Sequence, residues 1–372
     1  MQKLEKVNRR ETITFVFSNL REMDWIREVI RDTSIDFDIS IVSLYPSEQA
    51  WIAKLKSPIV STTHIQFIKP KDLFIGTICL FKVLRKTKSR LIVAHGFYSS
   101  IAAIIAGKLR FPTKIVSVRH HGRGHYENAI LFGLDCFISV FSHRVIAISE
   151  LTKQLLLSEG VARNKIVVIP NAIEVMKFNN LTKTPRAAVL SKFGFNDSHF
   201  VIGVISRFVD WKGIKYVLEA FSRILETTPE ARLVLANSSG KNDLLDEMIQ
   251  KIGYKYIYKI DEVEDIPSFY SSLDVFVHTP TSFDAEPFGL VYLEGLASGT
   301  NCIFTKSGVA LELPQIERYA WVVSHKSSEE IEVSINSVIH GEIKEKIPSD
   351  YLSNFRIQSY IREFRQFITS VL

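Results

Sequence analysis

Short apolar runs and amphipathic stretches alternate along most of this 372-residue chain. In the first half the runs 13–17, 39–44, 91–94, 114–118, 144–148 and 165–169 are rich in Ile, Val and Phe. They are too short for buried helices and predict strands. Between them, 48–56, 99–109 and 150–157 carry helical spacing. The pattern restarts after the segment 179–197. Strands are then predicted at 200–205, 232–236, 256–260, 274–278, 301–305 and 321–324, and helices at 214–225, 244–252 and 266–272. Ile214, Val217, Leu218, Phe221, Ile224 and Leu225 form the cleanest helical stripe. Strands that alternate with helices argue for parallel sheets covered on both faces. The economical solution is α/β, with two Rossmann-like doubly wound domains, 1–172 and 173–352, joined near 173–198. A last helix, 353–372, sets Tyr360, Phe364 and Phe367 on one face and is expected to pack back onto the first domain.

Composition agrees with two globular domains: 46% of residues are hydrophobic and 23% charged. The three cysteines, Cys79, Cys136 and Cys302, are far apart and lack metal-ligand spacing, so reduced thiols in a cytosolic protein are expected. The first ten residues carry no apolar leader core, and the longest apolar candidate, 129–141, is short and broken by Asp135. A soluble chain, or one held peripherally on a membrane surface, is expected.

Charge changes this picture. The net +6 hides an asymmetry: residues 1–180 hold 26 Lys and Arg against 15 Asp and Glu, or +11, whereas 181–372 hold 20 against 25, or −5. Seven of the cations lie between Lys69 and Arg90, with one acid, Asp72. Phe74, Ile75, Ile78, Leu80, Phe81 and Leu84 are interleaved with them. This is the pattern of a basic amphipathic helix for an anionic leaflet, or of a surface helix with a solvated basic end. No nucleic-acid recognition motif is present, so nucleic acid is not an expected partner.

The chemistry concentrates around Glu286 and Glu294. Pro287 suits a first helical turn, which would put Glu286 in the preceding loop and Glu294 on the helix. The N–H groups of Phe288, Gly289, Leu290 and Val291 would then open an anion site with a carboxylate at each end. A sugar nucleotide has that shape: a diphosphate between two hydroxyl-rich rings. Arg207 and Lys212 follow the strand 200–205 and precede the helix 214–225, where a planar fork and a point charge can neutralise a diphosphate. Arg119-His120-His121-Gly122-Arg123-Gly124-His125 follows the strand 114–118, and His95 follows 91–94.

These spacings, together with Ala147-Ile148-Ser149-Glu150, Ile169-Pro170-Asn171-Ala172 and the segment from Asp265 to Asp274, resemble the family 4 retaining glycosyltransferases of the GT-B fold. The resemblance is strong from about 144 to 325. It implies two Rossmann-like domains facing across a cleft, and a sugar moved from a nucleotide-diphosphate donor with retained configuration; the basic first half adds the expectation of a glycan or lipid-linked glycan acceptor at the cytoplasmic membrane face, in cell-surface polysaccharide synthesis. In that case Arg207 and Lys212 bind the diphosphate and Glu286 contacts the transferred sugar. Glu294 accepts from the ribose hydroxyls, and Gly289, Leu290 and Val291 offer N–H groups to phosphate. Either His120 or His121 faces the donor sugar. His95 and Asn19 are acceptor-side candidates, Asn19 standing in a loop, Phe17-Ser18-Asn19-Leu20, that lacks the glycines many relatives carry there. No cofactor and no metal are expected, since the nucleotide sugar is a substrate and the cations do the charge work. Asp36-Phe37-Asp38 reads as a solvated turn. Two other readings use the same residues: a sugar-nucleotide epimerase, and a sugar-nucleotide-binding homologue without turnover.

Overall fold

The computed structural model describes residues 10–18, 25–44, 59–64, 72–109, 112–122, 128–179, 184–238 and 240–372. Two compact units emerge, one of 1–172 with 357–372 and the other of 173–356. The first holds strands β1 (Thr12–Phe17), β2 (Asp38–Ser43), β3 (Ile59–His64), β4 (Leu91–His95), β5 (Lys114–Arg119), β6 (Arg144–Ala147) and β7 (Ile166–Val168). Their order across the sheet is β3-β2-β1-β4-β5-β6-β7, and every pairing is parallel. The second holds β8 (Phe200–Ile205), β9 (Ala231–Ala236), β10 (Ile257–Ile260), β11 (Val275–His278), β12 (Asn301–Phe304) and β13 (Trp321–Val322), ordered β10-β9-β8-β11-β12-β13 and again parallel. Order reverses between β1 and β4 and between β8 and β11. Such switch points open a crevice beyond the carboxyl ends of the strands.

Period-two burial sorts the helices of the first unit onto two faces. Val16, Val42, Ile92 and Ala94 share a core with Leu80, Leu84, Ile101, Ile104 and Ile138, so helices Asp72–Thr87, Phe97–Lys108 and Ala129–Phe141 cover one face. On the other face Phe15 meets Phe364 with ring centroids 6.0 Å apart, and Trp25 meets Tyr360 at 4.5 Å. The final helix, Ile357–Val371, therefore belongs to the first unit although it follows the second in sequence. In the second unit, Val217, Leu218, Phe221 and Ile224 of helix Ile214–Thr227 pack on Ile202, Leu233 and Val275.

Several expectations need correction. The strand β3 carries Ser61, Thr62 and Thr63 in place of an apolar run and went unread. The last α-helix begins at Ile357, after a separate 3-10 turn at Ser353–Phe355. Pro287 lies outside the helix, which runs Leu290–Ser298 from a Gly289 cap. Asp36 is not simply solvated: with Asp32 it pairs with Arg365 of the final helix. The helix expected at 48–56 lies outside the described residues, as do Asn19 and Arg123, Gly124 and His125.

Candidate active site

In the second unit the loop after β8 is laid against the loop after β11. Gly213, at φ +74°, makes this approach possible, because a Cβ there would stand 1.9 Å from the Thr279 carbonyl oxygen. The Thr281 N–H donates to the Trp211 carbonyl at 2.9 Å. Lys212 Nζ thereby reaches Glu286 and forms an ion pair with its Oε2, both side chains being about nine-tenths buried. Arg207 is exposed, its guanidinium 5.6 Å from the centroid of the Trp211 ring.

Glu286 is fixed from three sides. Its N–H donates to Ser307 Oγ at 3.0 Å, and Ser307 Oγ donates to the Phe283 carbonyl at 3.1 Å. At Gly308 a Cβ would stand 2.5 Å from the Phe288 carbonyl oxygen and 2.7 Å from that of Glu286. Beneath the carboxylate, His278 Nε2 lies 3.4 Å from Oε2. That contact is long for a hydrogen bond, while the other ring nitrogen, Nδ1, and the neighbouring Thr279 Oγ1 are buried without a hydrogen-bond partner. Burial pushes the Glu286 pKa up, but His278 and the Lys212 charge outweigh it and hold the carboxyl at about 2. Burial lowers the His278 pKa against the pull of Glu286, which leaves a neutral imidazole under an ionised carboxylate.

Helix Leu290–Ser298 starts from Gly289 at φ +81°, with no side chain capping it. Leu290 and Val291 form its first turn. Phe288 belongs to the loop; its side chain is buried and its carbonyl accepts from the Val309 N–H at 2.7 Å. Further along the helix, the Tyr270 hydroxyl donates to Glu294 Oε2 at 3.1 Å. Glu294 is partly buried, and desolvation raises its pKa to about 7 against the opposing Tyr270 hydrogen bond. One helix thus presents an uncapped start with an acidic loop residue on one side and an elevated carboxylate on the other.

The first unit has its own polar cluster at the carboxyl ends of β4 and β5. His95 is buried, with its ring stacked on Phe17 at 4.9 Å and its Nδ1 3.2 Å from His120 Nε2. Its other ring nitrogen, Nε2, is buried without a hydrogen-bond partner. Burial, and secondarily His121, lowers the His120 pKa to about 4, so its ring is neutral. His121 is held differently. Its Nε2 lies 2.9 and 3.0 Å from the two carboxylate oxygens of Asp135. Asp135 is fully buried and paired at 2.7 Å with Arg119, which also pairs with Glu159 at 2.7 Å and donates from Nε to the His121 carbonyl. Buried charges persist when paired and hydrogen-bonded; here that network fixes the His121 ring.

His278, Tyr270 and Asp135 were not picked out from sequence. His278 does close the strand predicted at 274–278, and Asp135 is the single charge in the apolar stretch 129–141; both were readable signals. Among the described residues no cluster of three or more His, Cys, Asp or Glu side chains could hold a metal ion. Among them also, no helix is long and apolar enough to cross a membrane.

Comparison with known proteins adds sequence evidence to this geometry. Residues 186–354 match the family described as "Glycosyl transferases group 1", and residues 69–177 match "Glycosyltransferase Family 4". An uncharacterized glycosyltransferase of Methanocaldococcus jannaschii is 28% identical over 57% of this chain and 55% of its own length. A capsular polysaccharide biosynthesis glycosyltransferase of Staphylococcus aureus is 27% identical over 66% of this chain and 65% of its own. The chain thus spans about half to two thirds of the length of these curated relatives. Among solved structures, Anabaena HepE in complex with UDP and glucose superposes with a TM-score of 0.81 at 16% identity, over 96% of this chain and 99% of that one. At that identity the likeness shows the shared GT-B fold.

Proposed function

The chain belongs to the group 1, family 4 glycosyltransferases of GT-B fold, and from that premise we propose that it moves a sugar from a nucleoside-diphosphate donor to a glycan or lipid-linked glycan acceptor with retention at the anomeric carbon. The observation that carries this reading is the Lys212–Glu286 pair beside the uncapped start of helix Leu290–Ser298, with Glu294 farther along the same helix. Lys212, Arg207 and the N–H groups of Gly289, Leu290 and Val291 receive the diphosphate, and Glu294 accepts from the ribose. Glu286, ionised, faces the transferred sugar.

As the anomeric C–O bond to the diphosphate breaks, negative charge grows on phosphate and positive charge on the ring. Cations and N–H dipoles already in place stabilise the first and the Glu286 carboxylate the second, without reorganisation. The acceptor hydroxyl forms the new bond on the same face, and its proton passes to the departing phosphate oxygen. In this scheme the charge work falls to protein cations, with no metal required. The unsatisfied polar atoms of His278 and Thr279 also favour a polar ligand or water at Glu286, because an unpaired buried polar group costs about 1–3 kcal/mol. In the first unit, His121 or His120 meets the donor sugar. His121 is preferred, because Asp135 orients its ring while His120 is occupied with His95. A place in cell-surface polysaccharide synthesis at the cytoplasmic membrane face draws on the likeness to the capsular polysaccharide glycosyltransferase of Staphylococcus aureus and on the basic region 69–90.

The test is release of UDP from UDP-glucose, the first donor to try, with and without acceptor glycans. Glu286→Gln is expected to lower turnover at least about hundredfold while nucleotide binding persists. Equal turnover in the two proteins would remove Glu286 from the chemistry. Binding with no turnover on any acceptor would favour the non-catalytic reading, and a changed sugar with no acceptor present would favour the epimerase.

A further inference from the structure

Two residues of the candidate site carry more than one demand. Lys212 and Glu286 form an ion pair, with both side chains about nine-tenths buried. The proposed reaction gives Lys212 to a diphosphate and Glu286 to a sugar. An ammonium that bridged both would gather a carboxylate and a diphosphate around one cation, an excess of negative charge in a buried place. Exchange of the pair avoids this, provided that Glu286 finds another partner, since a buried carboxylate stripped of its counter-charge is costly.

His278 is placed to be that partner, and it has no other task in the proposed reaction. It is 1% exposed at the end of β11, and its Nε2 lies 3.4 Å from Glu286 Oε2, the same oxygen that Lys212 meets. A shift of a few tenths of an ångström would make this an ordinary N–H···O bond. The ring is fixed in place: Tyr292 meets it edge-on at 4.8 Å and Phe276 lies parallel at 6.4 Å. The His278 carbonyl accepts from the Thr305 N–H at 3.3 Å. Lys212, by contrast, reaches the carboxylate on a flexible stem from the short turn Asp210–Lys212. The mobile partner is charged and the fixed one is neutral, because burial lowers the His278 pKa. A neutral donor steadies a carboxylate without cancelling its charge.

We propose that His278 is the positioning residue of Glu286 and that donor binding exchanges the pair: Lys212 passes to the diphosphate, and Glu286 settles on the N–H of His278 Nε2. The exchange ties the charge of Glu286 to the presence of donor. While Lys212 holds the carboxylate, the two charges cancel. Once the diphosphate takes Lys212, an uncancelled carboxylate faces the anomeric carbon. No covalent bond changes, and the Nε2 proton stays on the ring. This rests on the sugar-nucleotide reading and adds to it a role for His278.

The experiment is calorimetric titration of the full chain with UDP and with GDP. Glu286→Gln releases Lys212 from its pair and should tighten binding about tenfold, a gain that vanishes when Lys212→Met is also present. His278→Phe keeps the ring's shape and removes the donor. It should weaken nucleotide binding about tenfold in the wild-type background and not in the Glu286→Gln background, although His278 touches no part of the nucleotide. His278→Gln, whose amide N–H reaches the place of Nε2, should restore affinity to within about threefold of wild type, which separates the exchange from a folding defect. The exchange is overturned if Glu286→Gln leaves affinity unchanged or weakens it. It is overturned too if the gain persists with Lys212→Met, which would be direct repulsion between Glu286 and phosphate. Equal weakening by His278→Phe in both backgrounds, or no rescue by His278→Gln, would reduce His278 to packing. If neither nucleotide binds wild type, the sugar-nucleotide reading fails and the exchange with it; binding without coupling removes the exchange alone.

Discussion

Individual side chains at the candidate site are held in charge states suited to different tasks. Glu286 stays ionised down to about pH 2, because His278 and Lys212 outweigh its burial. Glu294, whose pKa lies at about 7, titrates near neutrality. If ribose hydroxyls donate to the Glu294 carboxylate, nucleotide affinity should strengthen as pH rises through about 7 and weaken below it. Calorimetric titration with UDP between about pH 6 and 8 checks this, and Glu294→Gln should flatten the profile. The same shift has a stability sign. A carboxyl raised above its ordinary value of 4.5 contributes stability below that value and loses it as pH climbs through about 7. Asp135→Asn should lower kcat about tenfold to a hundredfold with a smaller change in donor KM, since it disturbs the orientation of His121 and leaves the diphosphate site intact. The imidazole nitrogen shifts of His121 should change with it, which a purely structural role for Asp135 would not require. At this scale Glu286, Glu294, Arg207 and Lys212 stand out in the sequence as candidates because each lies in a short motif next to a strand or helix end. His278 closes a predicted strand, but its place beneath Glu286, like that of Tyr270 beside Glu294, comes from partners 8 and 24 residues away, which only folding brings together.

Elements were legible where hydrophobic spacing was clean. Phe200–Ile205 and Ile266–Ser272 match their predicted bounds, being buried segments bounded by polar residues. The strand β3 carries no signal of this kind, since an edge strand needs no apolar run, and its Thr62 is exposed. The start of helix Leu290–Ser298 was misjudged by one turn. Proline favours a first turn, but here a glycine in the left-handed region sets the start, and a Cβ at Gly289 would meet Glu286 Cγ at 2.8 Å. Gly213 joins two loops by the same logic. Gly213→Ala should separate Lys212 from Glu286 and destabilise the second unit by about 1–3 kcal/mol. Thermal unfolding and UDP affinity should both fall; an unchanged melt would mean the loops part without cost.

For the molecule, the division of labour follows connectivity. The chain leaves the first unit at residue 172, builds the second, and returns with Ile357–Val371 to the first. Phe364→Ala removes a fully buried ring beside Phe15 and should cost the first unit about 3–5 kcal/mol. UDP should raise the unfolding temperature of the second unit, where the proposed phosphate and ribose contacts lie. Calorimetry that resolves two transitions would show Phe364→Ala moving one and UDP the other. The sequence by itself determined the alternating strands and helices, the two parallel sheets and the charged motifs at their carboxyl ends, because periodicity and turn chemistry are local. Tertiary structure alone decided that Lys212 pairs with Glu286, that His278 and Lys212 hold Glu286 at about 2 while desolvation raises Glu294 to about 7, and that helix Ala129–Phe141 turns its charge inward. Those outcomes depend on desolvation and on contacts between residues remote in sequence, which no local pattern encodes.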